Sequence, residues 1–238
     1  MNHRLVVQGL DAGYGPQQVL YGVDLTVEPK GVTCVFGPNG SGKSTLLKTI
    51  VGVTPMWRGS ITLGSTDLGA LPVHERVRVG ISTVPQNAGV FPDMSVQENL
   101  LMGAYVLDDK DEVEKALQRV YDTFPVLYEK RREKGGALSG GQKMMVAIAR
   151  CLMTRPRLLL MDEPSAGLSP KLVRETFQIV RELADGGLPV LLIEQNVRQA
   201  LRIADAVHIL VQGRLQFSGS PEQLAERPDL LSLYLGLS

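Results

Sequence analysis

One segment near the N-terminus limits the possible folds more than any other part of the chain. It follows an apolar run, residues 32–36, and precedes a helical pattern of apolar residues that begins at Leu46. It has the spacing G-x-x-x-x-G-K-[ST], with the residues Gly37, Pro38, Asn39, Gly40, Ser41, Gly42, Lys43, Ser44 and Thr45. Glycines at these positions allow a tight turn in which successive N–H groups face one anion, and the N-terminus of the following helix favours the same anion. We therefore expect a strand, a phosphate-binding loop and a helix, with a nucleoside triphosphate as the ligand.

Two side chains of this loop have separate expected tasks. Lys43 can reach the outer phosphates, and the hydroxyl of Ser44 is placed to ligate Mg²⁺. The structural alternative is a glycine-rich turn before a helix, which is common in proteins. That alternative does not account for a Lys-Ser pair directly after a strand and a glycine-rich turn.

A second candidate catalytic segment lies at residues 158–163, where four apolar residues precede Asp162 and Glu163. A continuously apolar strand of a parallel sheet is buried on both faces, and ligands bind at the carboxyl edge where such strands end. There Asp162 can hold the Mg²⁺ shell through water, and Glu163 can polarise the attacking water. Acidic residues after a strand can also be simple helix caps, but the phosphate-binding loop elsewhere in the chain favours the catalytic interpretation.

The composition excludes several classes of protein. The chain has 238 residues, 44% of them hydrophobic and 21% charged, which fits an ordinary globular domain. Its formal net charge is zero, so no strong basic field favours nucleic acid as the main partner. No apolar run approaches the roughly 18 residues of a membrane-spanning helix, and the first residues lack a secretory signal. Cys34 and Cys151 lie in apolar surroundings and are expected to be reduced core residues.

The order of apolar patterns predicts an α/β fold. Strands are predicted over 5–11, 19–27, 32–36, 60–63, 81–85, 158–162, 190–194, 207–211 and 214–217, the first two of them antiparallel. Helices are predicted after residue 45 and over 95–101, 109–124, 139–154, 171–184, 196–203 and 221–235, and a surface loop over 129–134. This pattern predicts a single domain over 1–238. Its mostly parallel sheet core and antiparallel β subdomain occupy 1–86 and 156–238, and a helical subdomain is inserted at 87–155.

A third motif, Ser139-Gly140-Gly141-Gln142, extends these observations. Taken alone, it is a helix cap with flexible glycines, whose N–H groups at a helix N-terminus favour negative charge. Together with the phosphate-binding loop and the strand that ends in Asp162 and Glu163, it resembles the signature of ATP-binding-cassette (ABC) ATPases along essentially the whole chain. The resemblance implies a P-loop NTPase of ABC type, in which this motif contacts the γ-phosphate of an ATP held by another subunit. Such a chain needs a second ABC ATPase subunit, identical or different, arranged head to tail.

The resemblance also implies roles at four further places. Tyr14 lies where an aromatic ring stacks on adenine, although a lone tyrosine also suits packing. Gln86 follows the strand predicted at 81–85, where the family's glutamine contacts the metal and the water and senses the membrane partner. Residues 164–170 match the loop that crosses the subunit interface, and residues 87–94 match the segment that receives a coupling helix from a permease.

The chain departs from the family pattern at two positions. The family usually has a histidine after the strand that ends near Ile193, but this chain has Gln195 there. An amide can donate a hydrogen bond to the γ-phosphate but carries neither the proton nor the charge of an imidazole. Ser169 stands where an aspartate is common in the interface loop. Two alternatives follow: Gln195 takes part in hydrolysis at full rate, or the chain is a hydrolysis-impaired nucleotide clamp in a heterodimeric transporter.

Three short segments resemble one branch of the family, the ATPases of importers for branched-chain amino acids and of their urea and amide relatives. They are Glu194-Gln195-Asn196, Pro164-Ser165-Ala166-Gly167-Leu168 and Tyr234-Leu235-Gly236. The resemblance implies a cytoplasmic ATPase held at the inner face of the cell membrane by permease subunits, with an extracytoplasmic solute-binding protein as an indirect partner. An ABC transporter for another solute is the alternative. A DNA-handling or ribosome-acting cassette is not supported, because the chain has one phosphate loop and no long coiled coil.

Overall fold

The computed structural model describes residues 3–235, which form ten strands and ten α-helices. The strands are β1 (Leu5–Tyr14), β2 (Gln17–Val27), β3 (Val32–Phe36), β4 (Met56–Leu63), β5 (Thr66–Asp67), β6 (Ile81–Val84), β7 (Leu158–Asp162), β8 (Val190–Ile193), β9 (Ala206–Val211) and β10 (Arg214–Gly219). The helices are α1 (Lys43–Val51), α2 (Val73–Arg78), α3 (Val96–Leu101), α4 (Lys110–Thr123), α5 (Pro125–Glu129), α6 (Gly140–Leu152), α7 (Pro170–Asp185), α8 (Val197–Ala200), α9 (Pro221–Ala225) and α10 (Pro228–Leu235). Gly236, used in the branch resemblance, and the first two residues, used against a secretory signal, lie outside the described residues.

The strands form two sheets. The larger has the order β10-β9-β3-β8-β7-β6 and is parallel except for β10, which pairs antiparallel with β9. The smaller is antiparallel, with the order β2-β1-β4-β5. Helices α3 to α6 follow β6 in the chain and precede β7. The predicted α/β fold, with a mostly parallel sheet, an antiparallel part and an inserted helical part, is confirmed.

Strand β7 shows how the larger sheet is buried on both faces. Leu158 and Leu160 pack in one core with α1 and the smaller sheet, whereas Leu159 and Met161 pack in another core with α6 and α7. All four side chains are fully buried. Because side chains alternate between the faces of a strand, only an entirely apolar strand suits this position. Asp162, at the carboxyl end, is the one residue of β7 that is partly exposed.

Three helices start at the positions predicted from the sequence, after residues 95, 109 and 139, and each has a side-chain cap. Ser95 and Ser139 form capping boxes, in which the serine oxygen accepts a bond from the N–H three residues later and that residue's side chain accepts from the serine N–H. Asp109 caps α4 by accepting a bond from the N–H of Asp111. Cys34 and Cys151 are free and buried, as predicted. Within residues 3–235, no helix is both long and apolar enough to cross a bilayer.

Several predicted boundaries were wrong for local reasons. The helix predicted over 196–203 is only α8, because Arg202 and Ile203 bond to carbonyls three residues earlier, which is a tighter turn. The helix predicted over 221–235 is two helices, since Pro228 has no N–H with which to continue α9. The strand predicted at 60–63 begins earlier, at Met56. Elements β5, α2 and α5, the last ending inside the loop predicted at 129–134, are too short for periodicity to reveal.

His208 makes the stability of this fold depend on pH. It is 7% exposed in β9, its Nδ1 lies 2.8 Å from Ser218 Oγ, and burial lowers its pKa to about 4 from 6.5. The unfolded chain therefore takes up a proton between pH 6.5 and 4 that the folded chain does not, so stability present above pH 6.5 is lost as the pH falls through this range. We expect this single group to account for a loss on the order of 3 kcal/mol.

Urea unfolding of the parent and of His208→Val across this pH range tests the expectation. The free energy of unfolding should fall less steeply in the variant, because the titrating imidazole is gone. His74→Val is the matched control, since His74 is exposed on α2 beside Glu75. Equal pH slopes for the parent and His208→Val would contradict the prediction.

Candidate functional site

The phosphate-binding loop connects β3 to α1, and its glycines are required by the backbone. Gly37 and Gly42 have φ angles of 152° and 105°, in the region that side chains rarely adopt. A Cβ at Gly37 would collide with the carbonyl oxygen of Leu210, and one at Gly42 would lie 2.8 Å from Leu20 Cδ2. Helix α1 starts at this loop without a side-chain cap, unlike α3, α4 and α6. Its first N–H groups are therefore available to an anion.

Lys43 and Ser44 point back toward the loop and the sheet edge. Lys43 Nζ donates to the carbonyl oxygens of Gly37 at 2.8 Å and Pro38 at 3.0 Å, and the residue is 5% exposed. Burial lowers the pKa of Lys43, while Glu163 and Asp162 act against that shift. Ser44 Oγ lies 3.4 Å from Asp162 Oδ1, so the two oxygens expected at the metal are neighbours.

The carboxyl ends of β6, β7 and β8 bring three further predicted residues together. Gln86 Nε2 donates to Glu163 Oε2 at 3.0 Å, and Gln195 Nε2 donates to Glu163 Oε1 at 2.7 Å. Each carboxylate oxygen of Glu163 therefore has an amide partner from a different strand end. Glu163 is 9% exposed and has a positive φ of 48°, which is a strained backbone for a residue with a side chain.

Asp162 has a different electrostatic environment from an exposed aspartate. Burial raises its pKa, and the neighbouring Glu163 raises it further. The Ser44 hydroxyl and the ammonium groups of Lys48 and Lys43 act in the opposite direction. Two carboxylates at one sheet edge repel one another when both are ionised, so this edge favours a cation.

An open pocket of about 550 Å³ contains most of these groups. Its lining residues are Tyr14, Gln17, Val19, Asn39, Gly40, Ser41, Gly42, Lys43, Ser44, Thr45, Gln86, Glu163 and Gln195. Tyr14 is 44% exposed at the pocket, and its hydroxyl lies 3.4 Å from Thr45 Oγ1. Gln17 and Val19 were not predicted from the sequence. They line the pocket because β2 pairs antiparallel with β1. Their position just after the turn that follows Tyr14 is the signal that could have indicated them.

The signature residues do not join this pocket. Ser139, Gly140, Gly141 and Gln142 are absent from its lining, and Ser139 and Gly140 are exposed at the start of α6. Gly141 packs closely on α7, since a Cβ there would lie 2.5 Å from Leu172 Cδ2. One chain therefore presents two separate glycine-containing helix starts, an uncapped one at α1 and a capped one at α6.

The residues present fit a nucleoside triphosphate with Mg²⁺. The uncapped start of α1 and the glycine backbone around it offer N–H donors, and Lys43 supplies a positive charge. Ser44, Asp162 and Gln86 supply a hydroxyl, a carboxylate and an amide, which are the oxygen donors that Mg²⁺ prefers.

The pocket and its position at the carboxyl edge of a parallel sheet define a nucleotide-binding protein of the P-loop class. The family model described as ABC transporter matches residues 20–166. The chain belongs to the ABC transporter family, as an ATP-binding subunit whose ATP hydrolysis is coupled to transport.

Relatives match over nearly the whole chain. The "Probable branched-chain amino acid transport ATP-binding protein LivF" of Archaeoglobus fulgidus is 40% identical over 96% of this chain and 97% of its own. The "High-affinity branched-chain amino acid transport ATP-binding protein BraG" of Pseudomonas aeruginosa is 39% identical over 94% and 95%, respectively. The crystal structure of the ADP conformation of MJ1267, an ATP-binding cassette of an ABC transporter, is 30% identical, with a TM-score of 0.86 over 95% of this chain and 94% of that one.

Proposed function

We propose that ATP binds in this pocket and is hydrolysed with Glu163 as the general base. The contact of Glu163 with Gln86 on one side and Gln195 on the other carries this proposal. A carboxylate held at the pocket floor by two amide donors has a fixed orientation, and it can accept a proton from an attacking water. We propose that the second N–H of the Gln195 amide donates to the γ-phosphate.

We assign the remaining pocket residues by their chemistry. The loop from Gly37 to Thr45 binds the phosphates, and Tyr14 stacks on the adenine ring. Ser44 and Gln86 would hold Mg²⁺, with Asp162 acting through water, and the ion would supply charge neutralisation at the phosphates. The neighbouring carboxylates of Asp162 and Glu163 support this role, since a bound cation would offset the repulsion between them.

The signature residues complete the site of a second subunit. Ser139, Gly140, Gly141 and Gln142 are exposed or half-buried at the start of α6 and lie outside the pocket of their own chain. We propose that they contact the γ-phosphate of an ATP bound by a partner cassette, identical or different. Residues 164–170, which connect Glu163 to α7, lie at the same subunit interface.

An apolar surface supports permease subunits as the membrane partners. Phe91, Leu101, Met102 and Tyr105 are large apolar side chains that remain exposed. Met102, Tyr105 and Arg150 line a groove of about 260 Å³. The guanidinium carbon of Arg150 lies 5.8 Å from the centre of the Phe91 ring. We propose that this groove and residues 87–94 receive a helix of a permease, which holds the chain at the cytoplasmic face of the membrane. An extracytoplasmic solute-binding protein would act through that permease.

We propose branched-chain amino acids as the transported solutes, on the names of the LivF and BraG relatives. We also propose that residues 1–238 are one ABC ATPase domain, with a nucleotide-binding core and β subdomain at 1–86 and 156–238 and the signature subdomain at 87–155. Urea, amides or another solute remain the alternatives.

Uptake in cells that lack this chain tests the proposed solute. We expect uptake of radiolabelled leucine, isoleucine and valine to fall to the background level and to return with the parent chain but not with Lys43→Ala. Glu175→Gln, which changes an exposed carboxylate on α7, should restore uptake and serves as the control. Unchanged uptake of all three amino acids in the deletion strain would reject them as substrates.

A further inference from the structure

A carboxylate beside the candidate site has no part in the chemistry described above. Glu194 follows β8 directly and is 1% exposed. Its Oε1 accepts a bond from the N–H of Ser165 at 2.9 Å. Its Oε2 accepts bonds from Ser165 Oγ at 2.8 Å, from the N–H of Gln195 at 3.0 Å and from the N–H of Asn196 at 3.1 Å. Four donors from two separate segments thus meet at one buried side chain.

All four hydrogen bonds are donated to the Glu194 carboxylate, which favours its ionised form. Within residues 3–235, none of the salt bridges includes Glu194, so its charge is balanced by these hydrogen bonds. Burial raises the pKa of Glu194, and the bonds from Asn196, Ser165 and Gln195 act in the opposite direction. A buried charge without an ion pair is costly unless hydrogen bonds satisfy it. Such an arrangement is stable only while both segments stay in place.

The two segments joined by Glu194 both lead to Glu163. Ser165 lies two residues after Glu163, in the segment 164–170 that connects it to α7. Gln195 donates its side-chain amide to Glu163 Oε1 at 2.7 Å. The N–H of Glu163 in turn donates to the carbonyl oxygen of Ile193 at 2.9 Å. The residues at the ends of β7 and β8 therefore form a closed loop of contacts, in which the Glu194 side chain is more deeply buried than that of Glu163.

We propose that Glu194 is a positioning residue that holds segment 164–170 and Gln195 in one fixed arrangement. A displacement of segment 164–170 by a second subunit then moves Gln195 relative to Glu163, so the second subunit sets the orientation of the base. This inference rests on the proposed role of Glu163 and on the proposed subunit interface. Through these contacts, the partner subunit can change the orientation of Glu163 within this chain.

Glu194→Gln is the informative variant because it keeps the shape of the side chain. The new amide has one acceptor oxygen and one NH₂ group, so the NH₂ faces either the Ser165 N–H or the three donors at Oε2. At least one backbone donor loses its partner in either orientation. We expect kcat for ATP hydrolysis to fall about tenfold to a hundredfold, because small misplacements of catalytic groups have effects of this size. ATP affinity should stay within about threefold, since Glu194 is absent from the pocket lining.

The experiment uses the full chain in its assembled transporter and measures kcat, KM, ATP affinity and thermal unfolding. Ser165→Ala removes only the hydroxyl bond and tests the same contact with little risk to folding. We expect a smaller fall in kcat for this variant, again without a change in ATP affinity. Glu175→Gln is the control for the loss of a carboxylate at an exposed site, and it should behave as the parent.

A double variant shows whether Glu194 acts through Gln195. If it does, Glu194→Gln combined with Gln195→Ala is no slower than the slower single variant. Losses that multiply would overturn the inference, as would a parent-like kcat in both Glu194→Gln and Ser165→Ala. A fall in thermal stability and ATP affinity with kcat unchanged would make Glu194 a purely structural residue and would also overturn it.

Glu163→Gln, measured alongside, separates this inference from the proposed function. If Glu163→Gln hydrolyses ATP at the parent rate, the assignment of the base fails, and the positioning role fails with it. If Glu163→Gln is inactive while the Glu194 and Ser165 variants are parent-like, the positioning role fails alone. If Glu194→Gln does not fold, Ser165→Ala tests the positioning role in its place. A fall in kcat would then support the role, and a parent-like kcat would contradict it.

Discussion

Replacement of Glu163 by glutamine is expected to reduce kcat for ATP hydrolysis by about 10²- to 10⁴-fold, the usual contribution of a general base. The amide keeps the size of the side chain but cannot accept a proton from water. Gln86 and Gln195 each donate to one oxygen of Glu163, so the variant also loses one of these two contacts. ATP affinity should remain close to that of the parent, because the phosphate-binding loop is untouched. Single-turnover hydrolysis and equilibrium binding of ATP in the assembled complex measure the two effects separately.

Glu175→Gln is the matched control for this experiment, because it makes the same chemical change at an exposed site. It should leave both hydrolysis and binding unchanged. Two outcomes would contradict the prediction. Parent-like turnover in Glu163→Gln would reject Glu163 as the base, and a rate that is already low in the parent and insensitive to the substitution would identify a nucleotide clamp.

Replacement of Lys43 by alanine is expected to weaken ATP binding by about 10- to 100-fold. Lys43 is the cation nearest to the loop carbonyls of Gly37 and Pro38, and its ammonium group is oriented by bonds to both. A charge-assisted hydrogen bond contributes about 1.5–3 kcal/mol, which corresponds to this range of affinity. Titration calorimetry with ATP and Mg²⁺ measures the change directly.

Lys48→Ala provides the comparison for Lys43→Ala. Lys48 lies on the same helix, α1, but is exposed and does not line the pocket. It should retain most of the ATP affinity. Equal affinities for the parent and Lys43→Ala, with cooperative unfolding preserved, would remove Lys43 from the binding site.

The structural features that the sequence predicted well are those with local determinants. The turn from Gly37 to Gly42 needs residues without a Cβ, and the apolar run 158–161 suits a strand that is buried on both faces. The serine caps at Ser95 and Ser139 are equally local, since each bonds to a residue three positions later. Such features depend on a few neighbouring residues, which a sequence displays directly.

The contacts around Glu163 could not be derived from spacing. Gln86 is 77 positions away and Gln195 is 32 positions away, and they meet Glu163 only because β6, β7 and β8 are adjacent in the sheet. The resemblance indicated that both glutamines belong to the site, but not that they bond to the same carboxylate. The role of Glu194 was hidden for a similar reason, since its bonds to Ser165 depend on tertiary packing.

The strand order β8-β7-β6 places Glu163 between two other strand ends of the sheet. Glu163 follows the middle strand, and each flanking strand end supplies an amide donor to one of its two oxygens. A displacement of Gln86 would therefore leave one oxygen of Glu163 without its amide donor, and a displacement of Gln195 would leave the other oxygen without its donor. If Glu163 is the base that we propose, we expect its orientation to depend on both amide contacts, so the loss of either contact should slow ATP hydrolysis.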